Sequence, residues 1–297
     1  MFEGLSVALV TPFKDGAVDE AAVERLVDFV VKGGTDVLVV AGSTGEAVTL
    51  TREERRRLYQ SVQRANNGRA RLVAGTGTNV TRDSIELTAE ARTLGYDGAM
   101  LVVPYYNKPT PAGQIAHFSA IAVAVDLPLI LYNVPSRTGT NRTPDTVARL
   151  AEVPNIVALK EASGSLDQVS AIRARTDLTI LSGDDSLTLP MLAVGAEGVV
   201  SVLGNVAPRP LKELLEAFRE GRLIDAERIH KRLTPLMRAL FIESNPGPVK
   251  SLLADMGLMA NELRLPLVPV EPQTARAVRD AAQAAGVALK DPVGAAR

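Results

Sequence analysis

The stretch Ile156-Val-Ala-Leu-Lys-Glu-Ala-Ser-Gly-Ser-Leu-Asp-Gln168 reads as one strand followed by the start of a helix. Ile156–Leu159 is a short apolar run of strand type. Ser165-Leu-Asp-Gln168 has the spacing of a capping box, ahead of a helical pattern over Leu166–Ala174. The same alternation extends in both directions along the chain. Strands are predicted over Ser6–Val10, Asp36–Val40, Arg71–Ala74, Gly98–Val103, Leu129–Tyr132, Leu178–Leu181 and Gly198–Ser201. Helices are predicted between them, over Glu20–Lys32, Arg52–Asn66, Arg82–Leu94, Ala112–Val125, Pro144–Ala151, Leu187–Val194 and Pro208–Glu220. Thr51-Arg-Glu-Glu54 reads as a second capping box, and Thr143-Pro144 as an N-cap followed by Pro at the first helical position.

This succession of strand–helix units predicts an α/β fold, a (β/α)8 TIM barrel. The rival, a doubly wound open sheet, calls for a glycine fingerprint after its first strand, and Thr11-Pro-Phe-Lys-Asp-Gly16 has none. After Gly221 the strand rhythm stops, and Asp225–Leu240, Pro248–Met256 and Pro272–Ala285 read as helices. The expected organisation is a barrel over residues 1–224 and a C-terminal α-helical appendage over 225–297.

Composition narrows the function classes. Lys and Arg total 33 against 34 Asp and Glu, a net charge of −1, which offers no electrostatic footprint for nucleic acid or an anionic membrane. Cysteine is absent, which removes thiolate metal sites and a cysteine nucleophile. The beginning, Met1-Phe-Glu-Gly4, lacks the features of a signal peptide, and no uncharged apolar run reaches the ~18 residues of a membrane span. A cytoplasmic protein is expected. His117 and His230 lie far apart, so no transition-metal site is expected.

Barrels of this kind carry their chemistry at the C-terminal ends of the strands. Those ends read Gly42-Ser-Thr-Gly-Glu46, Gly75-Thr-Gly-Thr-Asn79, Pro104-Tyr-Tyr-Asn107, Tyr132-Asn-Val-Pro-Ser-Arg137, Lys160-Glu-Ala162 and Gly183-Asp-Asp185. Lys160 closes its strand and is expected to project into an apolar interior, where desolvation favours the neutral amine that attacks carbonyls. The bland alternatives are a Lys reaching solvent or one paired with Glu161. Lys250, near the start of a later helix, is the competing lysine. Tyr132 is a candidate proton shuttle, against a packing role. Arg137 suits a substrate carboxylate, against a surface ion pair. Ser43 and Thr44 can bind a carboxylate or relay a proton, against a plain turn. The charged run Arg52–Arg57 reads as a solvated helix face.

Six segments, Gly42–Glu46, Tyr105–Pro109, Tyr132–Gly139, Lys160–Gly164, Ser182–Asp185 and Asn245–Lys250, resemble in order and spacing the dihydrodipicolinate synthase / N-acetylneuraminate lyase family. The resemblance implies a Schiff base between Lys160 and pyruvate. It implies a proton relay through Tyr132 and Ser43, with Tyr106 supplied by a neighbouring subunit. Thr44, with backbone near Gly183 and Val200, would hold the pyruvate carboxylate. Arg137 would hold that of aspartate 4-semialdehyde in the synthase branch, and no cofactor is called for. The assembly implied is a homotetramer, a dimer of dimers. Ser43-Thr44 departs from the two threonines usual in the synthase branch and is similar to the sialate lyase and sugar-acid aldolase branches, so another pyruvate aldolase is the alternative. Arg52, Arg55 and Asp83 stand at the positions where lysine-inhibited members carry a His and an acid, so weak or absent inhibition by lysine is expected.

Overall fold

The computed structural model describes residues 1–290. Eight parallel strands close into a barrel: β1 Gly4–Ala8, β2 Val37–Val40, β3 Arg71–Gly75, β4 Gly98–Val102, β5 Leu129–Asn133, β6 Ile156–Glu161, β7 Thr179–Ser182 and β8 Gly198–Ser201. Each strand pairs with the next, and β1 closes the ring on β8 with Gly4 opposite Gly198. The expected barrel is thus the observed one.

The intervening helices are α1 Glu20–Lys32, α2 Arg52–Asn66, α3 Thr81–Thr93, α4 Pro111–Ala124, α5 Pro144–Ala151, α6 Leu166–Arg173, α7 Thr188–Ala193 and α8 Pro208–Arg219. Then follow α9 Leu223–Ala239, α10 Gly247–Asp255 and α11 Pro272–Ala284. The first of these, α9, lies against α8, and α11 packs on both α9 and α10. Residues 291–297, the end of the expected appendage, lie outside the described residues. Among the described residues no helix is long and apolar enough to cross a membrane.

Strand alternation separates two apolar layers. Val37, Val39, Val73, Met100, Ile130, Ala158, Leu181 and Val200 fill the barrel, with Phe2 among them. Leu38, Val40, Leu72, Leu101, Leu131, Leu159 and Val199 face the helices. Each fully buried Val, Leu or Ile contributes about 1.5–3 kcal/mol relative to exposure. Phe2 also explains Gly98: a Cβ there would stand 2.6 Å from the Phe2 ring.

Local differences from the sequence expectations have physical causes. β1 begins and ends two residues earlier than Ser6–Val10, because Gly4 N–H donates to Glu197 O and Leu5 N–H to the Asp36 carboxylate, which sets the ladder's start. The apolar run continues past the strand as core. A small hairpin, Phe13–Lys14 with Ala17–Val18, was not anticipated. Thr51 and Glu54 form the reciprocal capping box. Ser165 accepts from Gln168 N–H, but the Gln168 side chain does not return the bond; it turns to Asn141, Arg142 O and Glu161. The Arg52–Arg57 face is solvated except at Arg55, whose guanidinium turns inward to the carbonyls of Ala47 and Gly75.

Candidate active site

Lys160 lies at the C-terminal end of β6, in register with Tyr132 of β5 and Leu181 of β7. Its neighbours in sequence face the other way, since consecutive strand residues point to opposite sides of a sheet. Glu161 therefore accepts from Asn133, Gln168 and the Ser163 N–H outside the barrel, and the Lys160–Glu161 pairing does not occur. The Lys160 side chain is 5% exposed, with its Nζ 4.2 Å from the centroid of the Tyr132 ring. Among the described residues no carboxylate forms an ion pair with it. Burial draws its pKa down to about 7; Asp185 opposes the shift and Arg137 reinforces it. Burial likewise pushes the Tyr132 phenol up to about 12, with Arg137 opposing. At neutral pH the pair offers an amine with a substantial neutral fraction beside a protonated phenol.

Gly183 permits this arrangement. A Cβ there would stand 3.1 Å from Lys160 Cε and 2.6 Å from Ala162 Cβ, so any larger residue would displace the lysine stem.

Above the strand ends is a cavity of about 330 Å³, walled by Gly42, Ser43, Tyr105, Tyr132, Arg137 and Asn245 among others. That size suits a small metabolite. Of the residues singled out from sequence, Ser43, Tyr132 and Arg137 meet on this wall. Lys160 is not on it; the amine lies against the Tyr132 ring, which is. Thr44 is buried one residue behind Ser43, and its hydroxyl accepts from Asn245 Nδ2 at 2.9 Å. Val200 lies in the barrel interior, away from the wall. Tyr106 is 90% exposed and points out of the chain, on a backbone with φ of +72°. Such a conformation is strained for an aromatic residue. Among the described residues Arg137 makes no ion pair; its Nη2 donates to Asn245 O at 3.3 Å.

Two participants stand in segments quoted from the sequence but were given no role there. Asn245 touches Thr44 and Arg137 from more than a hundred residues away, and no local pattern announces such a contact. Glu46 closes the Gly42–Glu46 turn in a left-handed conformation, φ of +50°, and receives Lys250 Nζ at 2.6 Å. Both side chains of that pair are fully buried, and Arg264 N–H also donates to Glu46. Lys250 follows the barrel in sequence, yet in space it reaches back to the barrel mouth. Its charge is matched there. His117 is hydrogen-bonded to Thr81, and among the described residues no group of His, Asp and Glu could hold a metal ion.

The family model for the dihydrodipicolinate synthetase family matches residues 1–285. The chain belongs to this family. It is 52% identical over 272 residues to the 4-hydroxy-tetrahydrodipicolinate synthase of Pelobacter propionicus, covering 91% of this chain and 94% of that one. The crystal structure of dihydrodipicolinate synthase from Aquifex aeolicus has a TM-score of 0.95 and 46% identity, covering 98% of this chain and all of the other. The chloride-inhibited dihydrodipicolinate synthase of Acinetobacter baumannii, solved with pyruvate, has a TM-score of 0.95 and 43% identity, covering 97% of this chain and 100% of that one. These two structures share the fold described here along nearly its whole length.

Proposed function

We propose that this chain is a 4-hydroxy-tetrahydrodipicolinate synthase, a lyase of lysine and diaminopimelate biosynthesis that condenses pyruvate with L-aspartate 4-semialdehyde. The observation that carries the mechanism is the buried Lys160 amine, without a carboxylate ion pair among the described residues and with its pKa drawn down to about 7. Relatives at about half identity bear the synthase's name.

The neutral amine reaches the keto carbon of pyruvate from behind the Tyr132 ring, on its flexible four-carbon stem. Carbinolamine formation and loss of water give the imine, and Tyr132 carries the protons with Ser43 beside it on the wall. Loss of a methyl proton gives the enamine, whose carbon attacks the aldehyde of the second substrate. The substrate's own amine then displaces Lys160 from the imine carbon, closing the ring and freeing the lysine. One water leaves overall. Thr44, with backbone near Gly183 and Val200, holds the pyruvate carboxylate, and Arg137 at the cavity wall holds that of the semialdehyde.

Tyr106 completes the relay from a second copy. Its phenol is held outward by a strained backbone, where a partner's site can receive it. The working assembly is accordingly a homotetramer built from such dimers, in the cytoplasm, and native mass spectrometry of the active enzyme tests it. The division into a barrel over 1–224 and an appendage over 225–297 belongs to the same reading, with the appendage supplying Asn245 and Lys250 to the barrel mouth.

Borohydride reduction in the presence of pyruvate tests the central step. A three-carbon adduct is expected on Lys160 alone, and a Lys160→Ala protein that still labelled would sink the assignment. Turnover with aspartate 4-semialdehyde but not with N-acetylmannosamine separates the synthase from the sialate-type aldolases.

A further inference from the structure

Residues 256–271 join α10 to α11 with no helix or strand of their own. A connection of that length inside a compact domain is usually functional. Among the described residues, one backbone group of residues 259–270 hydrogen-bonds outside the segment, the Arg264 N–H, which donates to Glu46 at 3.1 Å. Two side chains add to it. The Glu262 carboxylate accepts from the N–H groups of Asp15 and Gly16, at 2.9 and 2.8 Å. The Arg264 guanidinium donates to both oxygens of Glu54, to Thr49 O at 3.0 Å and to Gly16 O at 2.7 Å. Its Cζ lies 4.3 Å from the centroid of the Phe13 ring. One planar fork thus serves a carboxylate and two carbonyls at once, which a point charge could not do. Arg264 also holds the Glu54 carboxyl down at about 2, so the pair is charged at neutral pH.

These bonds bear on the cavity from two sides. Glu46 and Thr49, which Arg264 touches, are wall residues. Pro266 and Leu267, two and three positions further along its own segment, are wall residues too. Leu267 N–H donates to Arg264 O at 3.0 Å, so the turn carrying that part of the wall starts at the anchored arginine. Pro266 and Leu267 stand with Arg137, Ser244 and Asn245 where the cavity adjoins an open groove. This is the side assigned above to the second substrate. The Gly42–Glu46 turn, which carries Ser43 and Thr44, has a separate anchor in Lys250.

We propose that Arg264 is a positioning residue for the second substrate: it clamps the strap of residues 261–267 onto the hairpin and the start of α2, and so sets Pro266 and Leu267 as the wall that holds the aldehyde beside Arg137. This rests on the reading of the cavity as a pyruvate aldolase site. Arg264 touches no substrate. It acts through the wall, because a loosened strap lets the aldehyde take orientations that the enamine carbon cannot attack. Imine formation on Lys160 does not call on the strap.

The test separates the two half-reactions in the wild type, Arg264→Met, Leu267→Ala and the double variant. Met keeps an unbranched stem over Phe13 without the fork, and the backbone bond to Glu46 survives the substitution. For Arg264→Met, kcat/KM for aspartate 4-semialdehyde is expected to fall about tenfold or more. The rate of pyruvate-dependent borohydride labelling of Lys160, read by mass spectrometry, is expected to change by less than about twofold. Leu267→Ala should show the same selective defect with every Arg264 bond in place. The double variant should lose little more than the worse single one, since both changes act through one wall. Labelling that falls in proportion to turnover marks general damage and overturns the proposal. Unchanged kcat/KM in folded Arg264→Met, or fully additive losses in the double variant, overturn it as well. Should Arg264→Met fail to fold, Glu54→Gln loosens the same clamp from α2 and takes its place in each comparison. A wild-type protein that never labels at Lys160 fails the aldolase reading itself, and that control tells the two failures apart.

Discussion

Two lysines of this barrel are buried, and both ammonium groups lie over an aromatic ring: Lys160 at 4.2 Å from Tyr132 and Lys250 at 4.4 Å from Phe13. Burial pulls the pKa of each downward. The difference is the counter-ion. Lys250 meets Glu46 at 2.6 Å, and that carboxylate opposes the downward pull of burial. Among the described residues Lys160 has no such partner, and its pKa falls to about 7. Burial pulls on both amines, and a paired carboxylate opposes that pull at one of them only. One lysine joins α10 to the barrel mouth, and the other is the amine assigned above to the proposed chemistry.

The comparison can be broken most directly at Lys160. Lys160→Ala is expected to lose at least about a thousandfold in turnover, as removal of a covalent nucleophile does, with the fold retained on circular dichroism. Lys250→Met should act on stability instead. It strands Glu46 as a buried unpaired charge, and denaturant unfolding is expected to show a loss of about 3–5 kcal/mol. Should Lys250→Met fold as well as the wild type and lose only activity, the two lysines would have to exchange roles.

Tyr132→Phe keeps the ring against Lys160 and removes the proposed proton carrier. Steady-state kcat is expected to fall about a hundredfold or more while the melting temperature stays put. A finer test uses pH. Lys160 has a folded pKa near 7 against an ordinary value of 10.5, so between those values the native state binds fewer protons than the unfolded chain. Its contribution to stability is complete above the unfolded value and is lost as pH falls through about 7. Chemical denaturation across that window should show wild-type stability rising with pH relative to Lys160→Met, in which the titrating group is gone.

The smallest effect concerns regulation. Arg52 is held by Glu86 and Glu90, and Arg55 is turned to the carbonyls of Ala47 and Gly75. Neither is shaped to receive a second amine. Millimolar L-lysine is expected to change turnover by less than about twofold in an initial-rate assay; a loss of more than half would contradict it.

Much of this site was legible along the chain because its parts are local to single strand ends. An apolar run closed by Lys160 announces both the strand and the residue at its mouth, and the period of two puts Glu161 outside. The register of Tyr132 with Lys160 follows from the parallel pairing of neighbouring strands. Gln168 shows the limit on a small scale. Its spacing from Ser165 fits a capping box, yet its amide finds better partners in Asn141 and Glu161. Arg55 shows the same, leaving a charged surface run for two inward carbonyls.

The sequence by itself determined the barrel, the strand that carries Lys160 and the loops that bear Ser43, Tyr132 and Arg137, because periodicity and turn chemistry act over a few residues. Only the tertiary structure decided which lysine is paired, that Asn245 braces Thr44 and that Arg264 ties residues 261–267 to the cavity mouth. Those outcomes depend on charges and hydrogen-bond donors brought together from distant parts of the chain. Desolvation and Coulomb attraction are set by distance in space, which sequence separation does not encode.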